Sequence, residues 1–292
     1  MRVRGKVLPC VNSELIVQQV RPTVELLINL DQSHPDILAN AVIDPAHYHR
    51  SNVFRSAIET IRGQQAAIQT VPREQFVGRI LEAMEDKGLL SSAQKTPPGV
   101  RWDFTAELET NPRRRVAIEV KGGEGNSLNL SNRPPDYQEF IIWSHLDGSV
   151  IHSPARGAQA VIGRVVADII KAPKQIDALI FRDKLCGTEA RPCPKYAGGS
   201  HPVLGPAPDI FLLPSAVPIF GRDLHPPVHT EATCSFPFRL LDFFGVSIEN
   251  RPIHVHTVDI RLYLNGNIPM REVIVRQNGV EQFRNSAKVQ VR

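Results

Sequence analysis

The sequence is short of cysteine and has no long apolar run. Only four cysteines occur in 292 residues, and their irregular spacing is not that of a disulfide framework. No stretch of eighteen consecutive apolar residues exists, so the sequence predicts no membrane-spanning helix. The start at Met1 is basic, without a hydrophobic signal region behind it. We therefore expect a reduced, cytoplasmic protein with no membrane contact.

Three common site signatures are also missing. The sequence contains no Gly-x-Ser-x-Gly elbow, which gives a serine-hydrolase triad little support. The glycine-rich residues 122–127 lack the Gly-Lys-Ser/Thr ending of a nucleotide-binding loop. A structural zinc site is not favoured, because six residues separate Cys186 from Cys193, whereas zinc-ligand pairs usually have two to four between them.

The composition is that of a globular protein able to contact nucleic acid. Apolar residues make up 42% of the chain, enough to bury a full core. The formal net charge of +4 permits nucleic-acid binding without demanding it. We expect one domain over residues 1–292, with a catalytic core at about 50–215. A separate β-rich subdomain over residues 216–292 is the alternative.

The most informative pattern is a pair of alternating segments. Residues 100–108 and 116–121 alternate between apolar and polar side chains, as strands with one buried face do. The polar, Pro-containing residues 109–114 between them suit an antiparallel hairpin. Folded this way, the hairpin places three charged side chains together on the face opposite the apolar one: Asp103, Glu119 and Lys121.

Two carboxylates and an ammonium in this arrangement resemble the PD-(D/E)xK nuclease superfamily, the fold of most type II restriction endonucleases. The resemblance rests on Asp103, Glu119 and Lys121 and covers a helix–strand–strand context at about residues 75–122. The family's proline before the aspartate is absent, because Trp102 stands there. The resemblance implies an α/β fold with a central mixed, partly antiparallel sheet flanked by helices, with long loops and extra C-terminal strands.

The same residues fit magnesium chemistry. Mg²⁺ takes one or two carboxylates and completes its shell with waters and substrate oxygens. Asp103, Glu119 and the Val120 carbonyl are the predicted ligands, and Mn²⁺ is expected to substitute. Lys121 shares the face of Glu119 and is predicted to orient the attacking water or stabilise the transition state. The alternative is a surface hairpin with an ordinary salt bridge, which Glu-x-Lys strings often form.

Further candidates flank the hairpin. A helix predicted near residues 73–90 carries Glu82, with Glu85 as its neighbour, and related nucleases often place an additional acidic residue on such a helix. The glycine-rich segment behind the hairpin adds Asn126 and Ser127 as candidates for holding a phosphate or a base edge; a plain mobile turn is the alternative. Three consecutive arginines are candidates for phosphate contacts, unless they form only a solvated basic turn: Arg113, Arg114 and Arg115.

The rest of the pattern is typical of an α/β protein. Helical periodicity covers residues 51–70, 73–90 and 155–172. Residues 137–143 fit either a short helix or a strand. Asn278-Gly279 predicts a hairpin turn. Apolar or alternating stretches predict further strands at 176–181, 209–213, 254–263, 271–276 and 280–283.

Together these features predict a Mg²⁺-dependent, sequence-specific endonuclease acting on double-stranded DNA. Cutting both strands of a symmetric site calls for a homodimer, because the two-fold axes of protein and DNA then coincide. Two alternatives stay open. One is another nuclease of the same superfamily, acting in defence or repair on DNA or RNA. The other is a non-catalytic nucleic-acid-binding module in which Glu119 and Lys121 form an ordinary ion pair.

Overall fold

A computed structural model describes residues 21–28, 70–110, 112–122, 130–145, 154–182 and 207–289. The chain divides into two compact units. One comprises Met1–Gln69, His145–Gly157 and Arg182–Pro206, and the other Thr70–Ser144, Ala158–Phe181 and Ala207–Arg292. Helix α1 (Arg21–Ile28) belongs to the first unit. The other described elements lie wholly or mainly in the second unit, which also contains Asp103, Glu119 and Lys121.

The second unit is built around one sheet. Its elements are, in chain order, α2 (Thr70–Asp86), β1 (Ser92–Lys95), β2 (Phe104–Leu108), β3 (Arg114–Gly122), β4 (Glu139–His145), α3 (Pro154–Lys171), β5 (Ala178–Arg182), β6 (Asp209–Leu212), α4 (Phe236–Phe243), a 3-10 turn (Ile248–Asn250), α5 (Arg251–His254), β7 (Val255–Asn265), β8 (Ile268–Gln277) and β9 (Val280–Lys288). The nine described strands are ordered in the sheet as they are in the chain. This exceeds the usual four to six strands.

The sheet is mixed, as predicted. β6 and β7 run parallel. The antiparallel pairs are β1–β2, β2–β3, β5–β6, β7–β8 and β8–β9. The α/β class is therefore confirmed, and the last three strands of the sheet, β7, β8 and β9, come from the C-terminal part of the chain. Of the described helices, none is long and apolar enough to cross a membrane.

Helix α2 forms because its apolar residues recur at helical spacing. All five members of the predicted stripe are 3% exposed or less: Phe76, Val77, Ile80, Leu81 and Met84. Burying side chains of this size stabilises the fold by roughly 1.5–3 kcal/mol each. The helix contacts β1 and β3. It is followed by Gly88, whose φ of +67° is the left-handed conformation expected there, and the Leu89 N–H returns to the Met84 carbonyl at 2.9 Å.

The predicted hairpin is formed by β2 and β3, but its first strand is shorter than predicted, because residues 100–103 lie before β2. Its burial also differs from that of a half-exposed hairpin. Residues 116–120 of β3 are all buried, including Ala117 at 0% and Glu119 at 3% exposure. Both faces of β3 are thus covered. Glu119 therefore does not lie on a surface hairpin, which was the simplest alternative for the Glu-x-Lys pair.

Other local predictions can be compared directly. The Asn278-Gly279 turn is confirmed, with positive φ angles of 49° and 74° at its two residues. Residues 137–143, for which the sequence allowed a short helix or a strand, mostly belong to strand β4. The helix predicted at 155–172 is α3, shifted by one residue. The helix predicted at 51–70 lies outside the described residues except for its last position.

Candidate functional site

Asp103 lies where the regular pairing of β2 and β3 ends. Phe104 pairs with Ile118 at the start of β2, and Asp103 stands immediately before this pair. The Asp103 N–H donates to the carbonyl of Ile118 rather than to that of Glu119, so the regular register does not continue through Asp103. Asp103 therefore lies beside residues 118–120 of β3, the strand that carries Glu119, at the end of the hairpin away from its turn.

Asp103 is fixed mainly by backbone groups. Its N–H donates to the Ile118 carbonyl at 2.9 Å, and its carbonyl accepts from the Thr96 N–H at 2.9 Å. The Val120 N–H donates to Oδ2 of its side chain at 2.6 Å. Among the described residues no donor lies on the other carboxylate oxygen. Asp103 is therefore held in position while most of its acceptor capacity remains.

The Glu119 carboxylate is buried and more fully satisfied. Nζ of Lys121 lies 2.5 Å from its Oε1. The hydroxyl of Ser131 donates to Oε1, and the Ser131 N–H donates to Oε2, each at 3.3 Å. Three donors thus compensate for placing this group out of water, where an unpaired carboxylate would be very costly. Ser131 lies beyond the glycine-rich segment, and nothing in the local sequence marks it as a partner of Glu119.

The Asp103 carboxyl is partly buried and has an acidic neighbour, Glu74. Burial raises the pKa of the Asp103 carboxyl above its ordinary value, and the nearby Glu74 carboxylate raises it further. The Val120 N–H, Lys121 and Lys95 act in the opposite direction but do not outweigh this. The partners of the ionised Asp103 carboxylate therefore do not fully compensate for its burial and for the nearby Glu74 charge. A bound cation would stabilise this ionised form.

Glu74 is the acidic helix residue that sequence reasoning missed. It lies in the first turns of α2, and its carboxylate pairs with Nζ of Lys95 at 2.6 Å. It also acts electrostatically on Asp103. The signal that could have found it is β1: once residues 92–95 form a strand beside β2, their partner on α2 comes close to Asp103.

The two glutamates predicted on α2 occupy different environments. Glu82 is exposed and lines a cavity that Glu74 also lines. Glu85 accepts a hydrogen bond from the Ala93 N–H at 3.0 Å, which ties the end of α2 to β1. Glu85 therefore holds the end of α2 against β1, whereas the exposed Glu82 lines the cavity.

Arg113 and Arg115 lie at the turn end of the hairpin. Both pair with Glu107, at 3.5 Å and 3.8 Å, and the Arg115 guanidinium stacks over the Tyr137 ring at 4.5 Å. Arg115 stands four positions before Glu119 in the strand, which corresponds to about 13 Å. The arginines thus flank the carboxylates at a distance and do not contact them.

Arg114 has internal partners instead. Its guanidinium donates to Oε1 of Glu139 at 3.3 Å, to the Ser235 hydroxyl at 3.0 Å and to the Ala232 carbonyl at 2.6 Å. Glu139 is fully buried and also accepts from the N–H groups of Ser235 and Phe236, at the start of α4. Arg114 therefore joins the hairpin to α4, and a phosphate contact would require it to leave these partners.

A third buried carboxylate, Asp177, has four donors. They are the Phe140 N–H at 2.7 Å, Nε2 of His229 at 3.0 Å, Arg133 at 3.2 Å and the Gln175 amide at 3.0 Å. Burial opposes ionisation of Asp177, but the His229 hydrogen bond and the Arg133 charge outweigh it, so its pKa is lowered. Asp177 holds together β4, the start of β5 and the segment that carries His229.

The described residues offer a two-carboxylate site at most. No three His, Cys, Asp or Glu side chains among them are grouped so as to hold a metal ion. Asn126, Ser127, Cys186 and Cys193 lie outside the described residues.

No protein-family model, curated protein or solved structure matches the chain.

Proposed function

We propose that this chain is a Mg²⁺-dependent nuclease that hydrolyses phosphodiester bonds in double-stranded DNA, in the manner of type II restriction endonucleases. The observation that supports it most is the contact of Asp103 with β3: the Val120 N–H donates to the Asp103 carboxylate at 2.6 Å, and the residues on either side of Val120 are the paired Glu119 and Lys121. Helix α2 precedes the hairpin, as in the helix–strand–strand order of the PD-(D/E)xK superfamily, and the additional strand β1 lies between them in the chain. On this proposal the sheet is a restriction-endonuclease-like core enlarged by C-terminal strands.

The donor set is suited to magnesium. A carboxylate offers about four lone-pair positions. Lys121 and Ser131 use three of those on Glu119, whereas the Val120 N–H uses one on Asp103. Asp103 would therefore be the principal ligand, with Glu119 and the Val120 carbonyl as further oxygens. All-oxygen ligation is what Mg²⁺ prefers, and Mn²⁺ should substitute. A bound Mg²⁺ would supply a Lewis acid for the phosphoryl oxygen and an activated water.

Lys121 is the residue best placed to act on the attacking water. Its side chain is 24% exposed, whereas that of Glu119 is only 5% exposed, so substrate would meet the ammonium first. In hydrolysis the water oxygen bonds to phosphorus, the ester P–O bond breaks, and the leaving oxygen gains a proton. Lys121 would orient the water or stabilise the negative charge that develops on the phosphoryl oxygens. Glu119 would keep the ammonium in place.

Incubation of the purified protein with plasmid DNA and Mg²⁺ tests this proposal. We expect discrete fragments that disappear on chelation and in Glu119→Gln. The matched control is Glu109→Gln, which changes an exposed glutamate in the hairpin turn and should leave cleavage unchanged. A smear would indicate a non-specific nuclease of the same superfamily, and cleavage of RNA alone would change the substrate. Intact DNA and RNA under all conditions would contradict the proposal.

The burial of Glu119 specifically favours a second candidate. Glu119 is 3% exposed as a whole residue, and its carboxylate already has the Lys121 and Ser131 donors, as in a purely structural ion pair. On this reading the chain is a non-catalytic nucleic-acid-binding module. It would then retard DNA in a gel without cutting it, and Mg²⁺ would leave its melting temperature unchanged.

A further inference from the structure

A cavity of about 540 Å³ lies between α2 and the first two strands. Its volume falls within the roughly 300–1,000 Å³ typical of small-molecule sites. Its wall includes Phe104, the residue that follows Asp103 in the chain, and both members of the Glu74–Lys95 pair. Those two charged groups act electrostatically on the Asp103 carboxyl. The cavity therefore adjoins the proposed metal site.

The cavity wall combines apolar and polar surface, and its charges are balanced. Glu74 and Glu82 contribute two negative charges, and Arg79 and Lys95 two positive ones. A free phosphate or a cation would meet no net attraction in such a site. A neutral ligand that both donates and accepts hydrogen bonds fits the balance better.

Two further features suit a flat, polar heterocycle. The Phe104 side chain, which is 5% exposed, contributes a small aromatic surface to the wall, against which part of a base can pack. The side-chain amides of Gln75 and Gln94 also line the cavity, and each combines two donors with an acceptor. Neither amide makes a side-chain hydrogen bond with another described residue. Amides of this kind are the groups that read base edges in nucleic-acid complexes.

Gly78 keeps the space beside the ring open. It lies in the middle of α2, where glycine is less favourable than alanine for helix formation. An added Cβ would meet only the Phe104 ring, at 3.4 Å and 3.6 Å, so alanine would fit without displacing backbone. Packing therefore does not require glycine here. What a larger residue would remove is cavity volume next to Phe104.

We propose that this cavity receives the base of a nucleotide whose phosphate lies at Asp103. The inference rests on the proposed nuclease function and narrows its substrate. A base can enter a pocket in this position only when it is unpaired, either in a single strand, at a frayed end, or turned out of the duplex at a cost of a few kcal/mol. The preferred substrate is therefore DNA with an unpaired nucleotide at the cleavage point.

The binding test uses deoxynucleoside monophosphates without metal, titrated by calorimetry against Glu119→Gln protein. Deoxyribose 5-phosphate, which lacks a base, serves as the comparison ligand. We expect the nucleotides to bind at least tenfold more tightly than the sugar phosphate. Gly78→Leu should weaken nucleotide binding by tenfold or more, and Gly78→Ala several-fold, with an unchanged or higher melting temperature in Gly78→Ala.

Gly163→Ala is the matched control, because this glycine lies in α3 and an added Cβ there meets nothing within 4 Å. Its nucleotide affinity should equal that of the parent protein. Equal affinity for base-free and base-containing ligands would overturn the proposal. So would unchanged binding in both Gly78 variants.

The two proposals fail separately. If the wild-type protein cuts DNA but the Gly78 variants bind and cut as it does, the base pocket is wrong and the nuclease site stands. If nucleotides bind in a base-dependent, Gly78-sensitive way and no nucleic acid is cut, the pocket stands as a binding site and the nuclease proposal fails.

Discussion

Asp103 and Asp177 each stand immediately before a strand of the same sheet, β2 and β5 respectively. Asp177 receives hydrogen bonds from four groups, and its pKa is lowered. Burial raises the pKa of Asp103, the nearby Glu74 raises it further, and the carboxylate receives only one hydrogen bond, from Val120. Asp177 is fully buried and Asp103 partly buried, but the fold compensates only the Asp177 carboxylate. An under-compensated acid is a cost to stability, and such costs are common at functional sites.

Removing the compensated carboxylate should have the largest effect on stability. In Asp177→Ala we expect the free energy of unfolding to fall by about 3–5 kcal/mol, because Arg133 and His229 lose their buried partner. Urea denaturation measures this. Asp136→Ala, at an exposed aspartate, is the control and should change stability by about 0.5 kcal/mol or less. Equal effects of the two substitutions would show that Asp177 is not a structural anchor.

The lowered pKa of Asp177 also determines how its contribution to stability changes with pH. Its contribution is complete above the ordinary aspartate value of 3.8 and is lost as the pH falls through the lower pKa of the folded state. The difference in unfolding free energy between wild type and Asp177→Asn should therefore shrink on acidification below about pH 4. A difference that grows in acid would contradict this assignment.

Asp103→Asn should increase stability, in contrast to Asp177→Ala, and should strongly reduce cleavage. Because the pKa of Asp103 is raised, its ionised form costs stability above pH 3.8 and nothing well below it. The substitution should therefore raise the melting temperature at pH 7, with a gain that disappears on acidification. The asparagine oxygen can still accept from the Val120 N–H. Cleavage should fall by about 100-fold or more.

The two readouts of Asp103→Asn separate the candidate functions. A stability gain with lost cleavage supports a catalytic Asp103. If the substitution raises stability but the wild-type protein does not cut nucleic acid, the Asp103 carboxylate is destabilising and has no catalytic role. A loss of stability at pH 7 would contradict the contrast with Asp177.

Ser131→Ala should have a smaller effect that acts through Glu119. Ser131 holds both oxygens of that carboxylate, and partners of this kind typically contribute 10–100-fold to metal affinity or activity. We expect about a tenfold loss, seen mainly as a higher Mg²⁺ requirement, with recovery in Ser131→Thr, which keeps the hydroxyl. An unchanged Mg²⁺ dependence of cleavage would show that Ser131 only packs against the strand.

Arg113→Ala should have the smallest effect. The side chain is 65% exposed and shares Glu107 with Arg115, so the stability change should stay within about 1 kcal/mol. If Arg113 contacts a phosphate, the plot of the logarithm of the DNA-binding constant against the logarithm of salt concentration should become less steep by about one unit. Filter binding at several salt concentrations measures it. An unchanged slope would remove Arg113 from the DNA interface.

Local pattern was enough to predict the hairpin. Alternation gave the β2–β3 pairing, because side chains on a strand alternate between two faces. Helical spacing likewise gave the buried stripe of α2, and Asn278-Gly279 gave its turn because both residues take positive φ. Each of these depends on residues close together in the sequence.

The sequence could not show what covers the hairpin. Alternation identifies two faces but does not say which is open, and β3 proved to be buried on both. The partners of Glu119 and Asp103 that matter most, Ser131 and Glu74, come from other elements. The Asp177 cluster joins residues 44 and 52 positions away in the chain. Such contacts are set by tertiary packing, which a single sequence encodes only indirectly.

The most direct test of the difference between Asp103 and Asp177 is to locate the bound cation. Fe²⁺ replacing Mg²⁺ generates hydroxyl radicals with ascorbate and peroxide, and these cut the polypeptide next to the metal. Mass spectrometry then identifies the cut positions. The account predicts cuts near Asp103 and Glu119 that excess Mg²⁺ suppresses, and none near Asp177. Mg²⁺-sensitive cuts confined to other parts of the chain, or no cuts above background, would contradict it.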